Sequence, residues 1–461
     1  MKAFSFLSLK LRRRTVCQAV CGALATVILP TSASAIGLLQ AYDAALLNDP
    51  TYRSAISENQ AGQQNKALGR SGLLPSLQYN FSASKNKGTS ESPIQLGNVV
   101  RDITTPLDYN SISNTISLRQ TIFNLDTFAR YTQGIAQTNY SDAQFDSRAQ
   151  DLIIRLVSAY ADAKYAEEQL NLYIAQRDAY AEQKLINERF FEKGEGTITD
   201  KLETQSKLDV AETQVLEAQD NVANTRTVLG GIVGKEILSL DGLRSDFQVS
   251  VLSPATLSEW EQIALKNNPE MVAGRYAIEI ADQEIRKANS NHLPRVDFNA
   301  SYNRGKSDSF TTRSQDNIIR SVGVQLVLPL YSGGYATAAA RQAVANRNKA
   351  RSDLDTTTNR VIADLRKQFK TVTGSIAKII ALEKSVKSTQ LLVEATKQSV
   401  KGGVRINLDV LNAQQQLVAS QRDLASARFN YLVAYLRLRF DAGILNGQDL
   451  QTIAAYFEPG N

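Results

Sequence analysis

The sequence predicts a mixed fold in which long antiparallel α-helices are combined with four β-strands of membrane-spanning length. Three observations predict it: an internal repeat, two pairs of segments with alternating apolar and polar residues, and two helical stretches without proline. Proline is absent between Pro106 and Pro254 and between Pro329 and Pro459. Helix therefore dominates the predicted fold, and the strands form one hairpin in each repeat.

The first 35 residues predict a secretory signal peptide. An apolar run over 16–29 and the small residues Ala33-Ser34-Ala35 follow five basic residues, which are Lys2, Lys10, Arg12, Arg13 and Arg14. No apolar pair follows the arginines as in a twin-arginine signal, and the residue before Cys21 is too large for a lipoprotein anchor. Because Cys17 and Cys21 both lie in this segment, the exported chain has no thiol or disulfide. Its formal charge falls from +6 to about +1, which gives no indication of a nucleic-acid partner.

An internal repeat divides the exported chain. Two landmarks recur 219 positions later: Asn48-Asp49-Pro50 as Asn267-Asn268-Pro269, and Leu74-Pro75 as Leu293-Pro294. Gly194 precedes Asp200 by six positions, and Gly403 precedes Asp409 by the same interval. The predicted parts are a first repeat at 36–234, a linker at 235–256, a second repeat at 257–443 and a C-terminal segment at 444–461.

Alternating residues predict a β-hairpin in each repeat, at about 77–122 and 296–328. In the first strand one face carries Leu77, Tyr79, Phe81 and Ala83. We expect a long polar loop in each hairpin, at 85–110 and 304–317, the first longer by eleven residues because the repeat offset falls from 219 to 208. Strands of about 8 to 11 residues suit a tilted transmembrane strand. Four strands cannot close a barrel, so entry into a membrane requires two copies with eight strands or three with twelve.

The helices that follow the hairpins are predicted to be unusually long. Nothing between Thr127 and Phe191 stops an α-helix, which would reach about 100 Å at 1.5 Å per residue. Apolar residues at spacings of three and four predict coiled-coil seams: Ile153, Leu156, Tyr160, Ala163, Leu170 and Ile174 in one helix, and Val361, Leu365, Val372, Ile376, Ile379 and Val386 in the other. A further helix is predicted to begin at Pro50 with Asp49 as its cap.

The sequence gives no constellation of catalytic or metal-ligating residues. Its single histidine, His292, lies two residues before Pro294 and is interpreted as structural. The stretch from Gly230 to Glu236 is one residue short of a phosphate-binding loop and has Glu236 where Ser or Thr should hold magnesium. We therefore predict no enzymatic activity, no cofactor and no metal.

Four stretches resemble the TolC family of outer-membrane efflux proteins over essentially the whole exported chain: LLPSLQYNFSAS, HLPRVDFNASYN, LVLPLYSGG and GGVRINLDVLNAQQQL. The resemblance implies a homotrimer in the outer membrane of a Gram-negative bacterium, with a twelve-stranded β-barrel, an α-helical coiled-coil tunnel through the periplasm and an equatorial girdle around 235–257. It also implies outer-membrane lipids, a periplasmic adaptor protein and an inner-membrane transporter of the ABC or RND type as partners. Both type I protein secretion and drug efflux are compatible with it. The alternative is a soluble periplasmic coiled-coil scaffold or adaptor, which leaves the strands unused.

By the same resemblance, a periplasmic gate is expected at Thr199, Asp200, Arg405, Asp409 and Asn412. An ion pair between Asp200 and Arg405 would cost about 1 kcal/mol to break in water, as a reversible latch requires. Asp409 matches a ring of aspartates, which would attract cations on a symmetry axis. Asn412 replaces a second aspartate and Val400 replaces a tyrosine, so a looser closed state is expected. The plain alternative is a solvated charge at each helix break.

Glycines mark both helix breaks, at Gly194, Gly196, Gly402 and Gly403. They permit backbone bends where a tunnel must narrow and later dilate. Ordinary turns between successive helices are the alternative interpretation, and both can hold together.

Overall fold

A computed structural model describes residues 36–97, 99–244, 246–249, 252–308 and 314–458. The predicted signal peptide, residues 1–35, lies outside this described part. None of the helices in the described part combines the length and the apolar composition needed to cross a bilayer.

The two halves of the chain contain the same order of elements. The first half comprises α1 (Leu38–Asn48), α2 (Pro50–Gly62), α3 (Gln64–Ser71), β1 (Ser76–Leu96), β2 (Val99–Phe123), α4 (Leu125–Glu192) and α5 (Ile198–Val233). After the short strand β3 (Gly242–Leu243) come α6 (Leu257–Asn267), α7 (Pro269–Ser290), β4 (Arg295–Ser307), β5 (Gln315–Val327), α8 (Tyr335–Lys401) and α9 (Asn407–Asp441). The chain then forms α10 (Gly447–Ala454) and β6 (Phe457–Glu458).

Equivalent side chains start helices α2 and α7. Asp49 accepts a hydrogen bond from the backbone N–H of Tyr52 at 2.9 Å, and Pro50 takes the first helical position, where its missing N–H is not needed. Asn268 likewise accepts from the backbone N–H of Glu270 at 3.0 Å, ahead of a proline. The cap predicted at Asp49 is confirmed.

The long helices have the predicted extent. Helices α4 and α8 contain 68 and 67 residues, so each is about 100 Å long. Each packs against the shorter helix that follows it, α5 and α9 respectively. Seam residues such as Leu156, Tyr160, Leu365 and Val372 are completely buried, which confirms the seam at these positions.

The main hydrophobic core lies where the long helices meet the short elements of the linker and the C-terminal segment. Tyr160 of α4 donates its hydroxyl hydrogen to the carbonyl of Ile36 and accepts from the N–H of Asp241, both at 3.0 Å. Trp260 of α6 is fully buried and donates its indole N–H to the carbonyl of Pro254 at 2.8 Å. Strands β3 and β6 pair antiparallel at the same level. These contacts tie both chain halves to one equatorial core.

The four long strands form one antiparallel sheet in the order β1-β2-β4-β5. The first predicted loop, 85–110, is largely strand, so that prediction was wrong, and the second, 304–317, is strand at 304–307 and 315–317. Strands β1 and β2 stay paired out to Leu96 and Val99, and β4 and β5 out to Ser307 and Gln315. The backbone ladder holds the two strands together whatever their side chains, so the many polar residues of this segment gave the appearance of a loop. The eleven extra residues of the first hairpin are therefore added mostly as strand.

Candidate functional site

The sheet has one apolar face and one polar face, because directly paired residues of antiparallel strands lie on the same side. The apolar face carries Leu77, Tyr79, Phe81, Ile116, Leu118, Phe298, Tyr302, Val322 and Val324. The polar face carries Gln78, Asn80, Ser82, Ser113, Thr115, Ser117, Ser301, Asn303, Ser321 and Gln325. Leu77 and Val322 are 69% and 75% exposed, so the chain itself does not cover the apolar face. Such a sheet suits lipid on one side and water on the other.

Charged residues bound this two-faced region at both ends. Away from the helices, Arg304 of β4 pairs with Asp316 of β5 at 2.9 Å. At the helical end, the buried carboxylate of Asp297 accepts from the guanidinium of Arg119 at 2.7 Å. Between these two levels β4 contributes the six residues 298–303.

Strands β1 and β5 each have one unpaired edge within the described chain. Unpaired backbone groups in hydrocarbon cost several kcal/mol each, so a sheet of four strands with two open edges is incomplete as a membrane structure. In a membrane, these two edges therefore need strand partners from outside this chain.

At the far end of the long helices, the chain reverses direction in two equivalent turns. Gly194 between α4 and α5, and Gly403 between α8 and α9, both have a φ of +74°, which favours glycine. Gly402 has an ordinary right-handed φ of −81°, and a side chain at Gly196 would crowd Phe190. The glycines therefore form turns between helices, and their role as hinges stays a prediction.

The first turn is fixed by a reciprocal capping box. The Thr197 hydroxyl oxygen accepts from the backbone N–H of Asp200 at 3.1 Å. In return, the Asp200 carboxylate accepts from the Thr197 backbone N–H at 3.3 Å and from its hydroxyl at 2.7 Å. This arrangement satisfies donors at the start of α5 that would otherwise lack partners. Thr199, the neighbouring predicted gate residue, is exposed.

The second turn has no such box. Ile406 occupies the cap position of α9 and offers no side-chain acceptor. Asp409 lies three residues later, as Asp200 does in the first turn, and is half-buried. The first turn of α9 therefore lacks a local side-chain cap.

Asp200 and Arg405 line one cleft of about 800 Å³ between the two turns, together with Val400 and Asn407. Among the ion pairs of the described residues, none joins Asp200 to Arg405. The Asp200 carboxylate is engaged in the capping box, and Arg405 is exposed. The structure thus brings the two predicted latch residues to one cleft without pairing them inside one chain.

Asn412, on the exposed side of α9, links the two helical pairs. Its side-chain oxygen lies 3.5 Å from the ammonium of Lys207 on α5. The same ammonium donates to Gln415 at 2.9 Å. At this position the neutral amide of Asn412 therefore offers its oxygen to the Lys207 ammonium without carrying a charge itself.

A buried polar residue that the sequence did not reveal joins the two turns. Asn187 of α4 is 3% exposed, and its amide nitrogen donates to the hydroxyl of Thr204 at 2.7 Å. Its oxygen accepts from Gln183 at 3.1 Å and from Asn407 of the second turn at 2.9 Å. Because buried amides are costly to leave unpaired, this network holds the start of α9 against helices α4 and α5. A polar residue within a helix gives no local signal of such distant partners.

A cavity of about 560 Å³ lies between the long helices at the opposite end, near the equatorial core. It is lined by charged residues, which include Asp151, Arg155, Asp162, Asp364, Arg437 and Asp441. Burial, with smaller contributions from Asp364 and Glu270, raises the pKa of Asp441 to about 7. Burial also raises the pKa of Asp162. Asp441 thus changes its charge near neutral pH.

The residues considered for catalysis lie apart from one another. His292 is exposed in the turn before β4, where its backbone N–H donates to the carbonyl of Asn289 at 3.1 Å. Gly234, in the stretch that resembles a phosphate loop, ends helix α5 in a left-handed conformation. Within the described ranges, no group of three or more His, Cys, Asp or Glu residues is arranged to hold a metal ion.

Comparison of the sequence with known families gives one match that spans most of the chain. The model of the outer membrane efflux protein family matches residues 41–235 and 260–443. The chain is 41% identical to the alkaline protease secretion protein AprF of Pseudomonas aeruginosa, over 94% of this chain and 90% of that protein. It is 38% identical to the proteases secretion protein PrtF of Dickeya chrysanthemi, over 94% and 95%. It is 27% identical to the outer membrane protein TolC of Vibrio cholerae, over 91% and 93%.

Solved structures share the fold at low sequence identity. The outer membrane protein VceC of Vibrio cholerae matches with a TM-score of 0.73 at 18% identity, over 88% of this chain and 96% of that chain. The CmeC outer membrane channel of Campylobacter jejuni matches with a TM-score of 0.75 at 16% identity, over 91% and 90%. The combination of a strand wall and long helices is thus a known channel architecture.

Proposed function

The chain belongs to the outer membrane efflux protein family and is a channel-tunnel of the outer membrane, and we propose that it exports proteins in a type I secretion system. As a member of a transport family it is not an enzyme, and the soluble scaffold alternative is set aside. The proposal of protein cargo is supported by the two relatives above 35% identity, both of which are described as protease secretion proteins. We therefore propose a secreted protein, such as a protease, as the cargo class.

The observation that supports a channel most strongly is the two-faced sheet, which is joined to helices of about 100 Å. We propose a homotrimer, because three copies give twelve strands and a bore wide enough for transport, whereas eight strands give a barrel filled by side chains. Cyclic symmetry would place the apolar faces against lipid and the polar faces around water, and would wrap the helices into a tube.

A matched pair of variants tests this arrangement of the faces. Val322→Asp puts a charge on the apolar face, while Ser321→Asp puts the same charge on the polar face one residue away. We expect Val322→Asp to reduce the amount of heat-modifiable trimer in the outer-membrane fraction, because a charge that faces lipid is costly. Ser321→Asp should leave this amount near that of the unmodified chain. Equal assembly of the two variants would contradict the proposed orientation.

For the gate, we propose Thr199, Asp200, Arg405, Asp409 and Asn412 at the helix turns. Because the Asp200 carboxylate already serves its own turn, Arg405 would meet it between neighbouring subunits or after the capping box has loosened. Such a water-exposed pair stabilises a closed state by about 1 kcal/mol or less, so it opens reversibly. Val400 and Asn412 in place of a tyrosine and an aspartate would make that closed state looser.

As partners, we propose a periplasmic adaptor protein at the helix turns and an inner-membrane transporter of the ABC type. An RND-type transporter and drug export form the second candidate, which is supported by the description of the matched family as outer membrane efflux proteins. The two candidates differ in what the cell loses when the channel is absent.

Deletion of the gene distinguishes these candidates. We expect a deletion strain to lose one or a few proteins from the culture medium while keeping normal tolerance to detergents, dyes and antibiotics. A plasmid-borne copy should restore secretion, and a copy with Val322→Asp should not. Hypersensitivity with an unchanged secretome would contradict protein secretion and support drug efflux.

A further inference from the structure

The first hairpin extends well beyond the rest of the sheet. Strands β2 and β4 pair as far as Ser111 and Ser307, whereas β1 and β2 continue together to Leu96 and Val99. We call this extension, Lys85–Leu96 of β1 and Val99–Asn110 of β2, the projecting ribbon. It lies at the end of the sheet opposite the helices, on the outer side of the membrane in the proposed channel.

The polarity of the two faces inverts along this ribbon. The face that is polar in the sheet gains apolar side chains, with Tyr109, Leu107, Ile103, Ile94 and Val99, beside the polar Asn86, Ser90, Ser92 and Thr105 and, within the described ribbon, the single charge of Arg101. The face that is apolar in the sheet becomes charged, with Lys85, Lys87, Glu91, Asp102 and Asp108. On this charged face the Lys87 ammonium lies 3.6 Å from the Asp108 carboxylate. Beyond the membrane, the side that continues the channel wall thus has fewer charges and more large apolar side chains than the opposite side.

Along the lower part of the ribbon, the side chains on this face are less exposed than those on the opposite face. Leu107 and Tyr109 are half-buried, as are Ser111 and Ser113 further down the same face, while Asp108 opposite is exposed. Towards the tip, Ile94, Val99 and Ile103 are 45%, 62% and 42% exposed. Each chain therefore presents an apolar tip in line with its polar channel wall, and no other part of the described chain covers it.

We propose that the apolar faces of three projecting ribbons pack against one another above the barrel and close its outer mouth. This inference rests on the homotrimer proposed above, because cyclic symmetry turns the three continuations of the channel wall towards one axis. The partner of each ribbon is thus a second copy of this chain, and the charged faces point outward into water. Exposed apolar patches of this kind are typical of interaction surfaces. A contact this small opens readily when cargo passes.

Neighbouring residues provide a matched test. Val99 and Val100 are 62% and 63% exposed, but Val99 lies on the apolar face and Val100 on the charged face. The exported chain has no cysteine of its own, because Cys17 and Cys21 lie in the predicted signal peptide. A single cysteine at either position therefore reports the proximity of two subunits directly.

We expect mild oxidation of purified Val99→Cys trimers to give disulfide-linked dimers on a denaturing gel, with one unlinked chain left per trimer. Val100→Cys, treated in the same way, should stay monomeric. On intact cells, a membrane-impermeant maleimide should label Val100→Cys several-fold faster than Val99→Cys. Ile103→Asp added to Val99→Cys should abolish the dimers and restore fast labelling, whereas Thr104→Asp on the charged face should not.

Equal cross-linking of the two cysteine variants, or no cross-linking of Val99→Cys in intact trimers, would overturn the closure. Rapid maleimide labelling of both positions would do the same, and would leave the ribbon as a surface for molecules outside the cell. The oligomeric state, measured first by native gel and light scattering, separates the two proposals. A preparation without trimers overturns the proposed assembly and the closure with it, whereas trimers without a Val99 cross-link overturn the closure alone.

Discussion

The two helix turns that we propose as the gate occupy equivalent places in the repeat but are held in different ways. In the first turn, Thr197 and Asp200 cap each other. In the second, Ile406 stands where Thr197 stands, so Asp409 has no hydroxyl with which to form a box. The second turn instead relies on contacts with helices α4 and α5, such as the hydrogen bond from Asn407 to Asn187. The turn between α4 and α5 is thus capped by its own side chains, whereas the turn between α8 and α9 depends on contacts with other helices.

The same contrast holds at the opposite end of these helices. Ile232 of α5 and Asp441 of α9 are 209 positions apart, as the two turns are, and both line the equatorial cavity. At this position the first half has an apolar side chain, and the second half has a carboxyl group whose pKa is raised to about 7.

The largest effect is expected from Asp441→Asn at alkaline pH. Because the pKa is raised from 3.8 to about 7, the folded chain holds a proton that the unfolded chain releases, so stability falls as the pH rises from about 4 to about 7. At pH 8 the variant should gain up to about 4 kcal/mol in the free energy of unfolding, at about 1.4 kcal/mol per pKa unit, and far less at pH 4. Denaturant titrations at both pH values measure this gain.

Asp423→Asn, on the exposed side of the same helix, is the control for that experiment. Its free energy of unfolding should change by less than about 0.5 kcal/mol at either pH. A gain in Asp441→Asn that is equal at pH 4 and pH 8 would contradict the assigned titration.

Asn187→Ala should release the second turn from the first. It leaves Thr204 and Asn407 without their shared partner, at a cost of about 1 to 3 kcal/mol. Hydrogen exchange followed by mass spectrometry should show faster exchange at 402–410. Asn407→Ala should accelerate exchange there to a similar degree while costing less stability, because the bond between Asn187 and Thr204 remains. Unchanged exchange in both variants would show that the network does not hold the turn.

Substitution of the two cap residues should reverse the difference in helix capping between the turns. Thr197→Ala should destabilise the start of α5 by about 1 kcal/mol. Ile406→Thr creates the sequence of a capping box with Asp409 and should stabilise the start of α9 by a similar amount. Amide exchange in the first turn of each helix measures both effects. If Ile406→Thr leaves the exchange of α9 unchanged, the missing cap is not what distinguishes the two turns.

Substitutions at Asp409 and Asn412 are expected to have the smallest effects on the stability of the fold. Their effect is expected on conduction instead. Asp409→Ala removes a carboxylate from each subunit and should weaken block by trivalent cations, whereas Asn412→Asp adds one and should strengthen it. Stability should change by less than about 0.5 kcal/mol in both. Current measurements with increasing concentrations of a trivalent cation test the two variants in opposite directions. Equal block in both would place these residues outside the narrow part of the channel.

Much of the fold follows from local features of the sequence. The stretch from Thr127 to Phe191 predicts α4 to within two residues at each end, and Asp49 caps α2 as its neighbour Pro50 indicates. Alternation identifies the apolar face at Leu77, Tyr79 and Phe81, because burial in lipid demands a regular pattern. These features depend on residues close together in the chain.

Two features escaped prediction because they depend on distant contacts. The projecting ribbon contains Lys87 and Asp108, whose polarity is typical of a loop until the register pairs them across two strands. Asn187 gains its role from Thr204 and Asn407, the latter 220 positions away. The apparent equivalence of Asp200 and Asp409 also hides the difference between Thr197 and Ile406, which the hydrogen bonds reveal.

The central claim is that this chain forms a channel closed at the helix turns, with the second turn as the moving part. Single-channel recordings of purified wild-type and Arg405→Ala protein in planar bilayers test it most directly, because Arg405, unlike Asp200, takes no part in a cap. We predict low conductance for the wild type, higher conductance for Arg405→Ala, and fewer openings when Ile406→Thr is added. Unchanged conductance in Arg405→Ala, together with unchanged openings after Ile406→Thr, would contradict the claim.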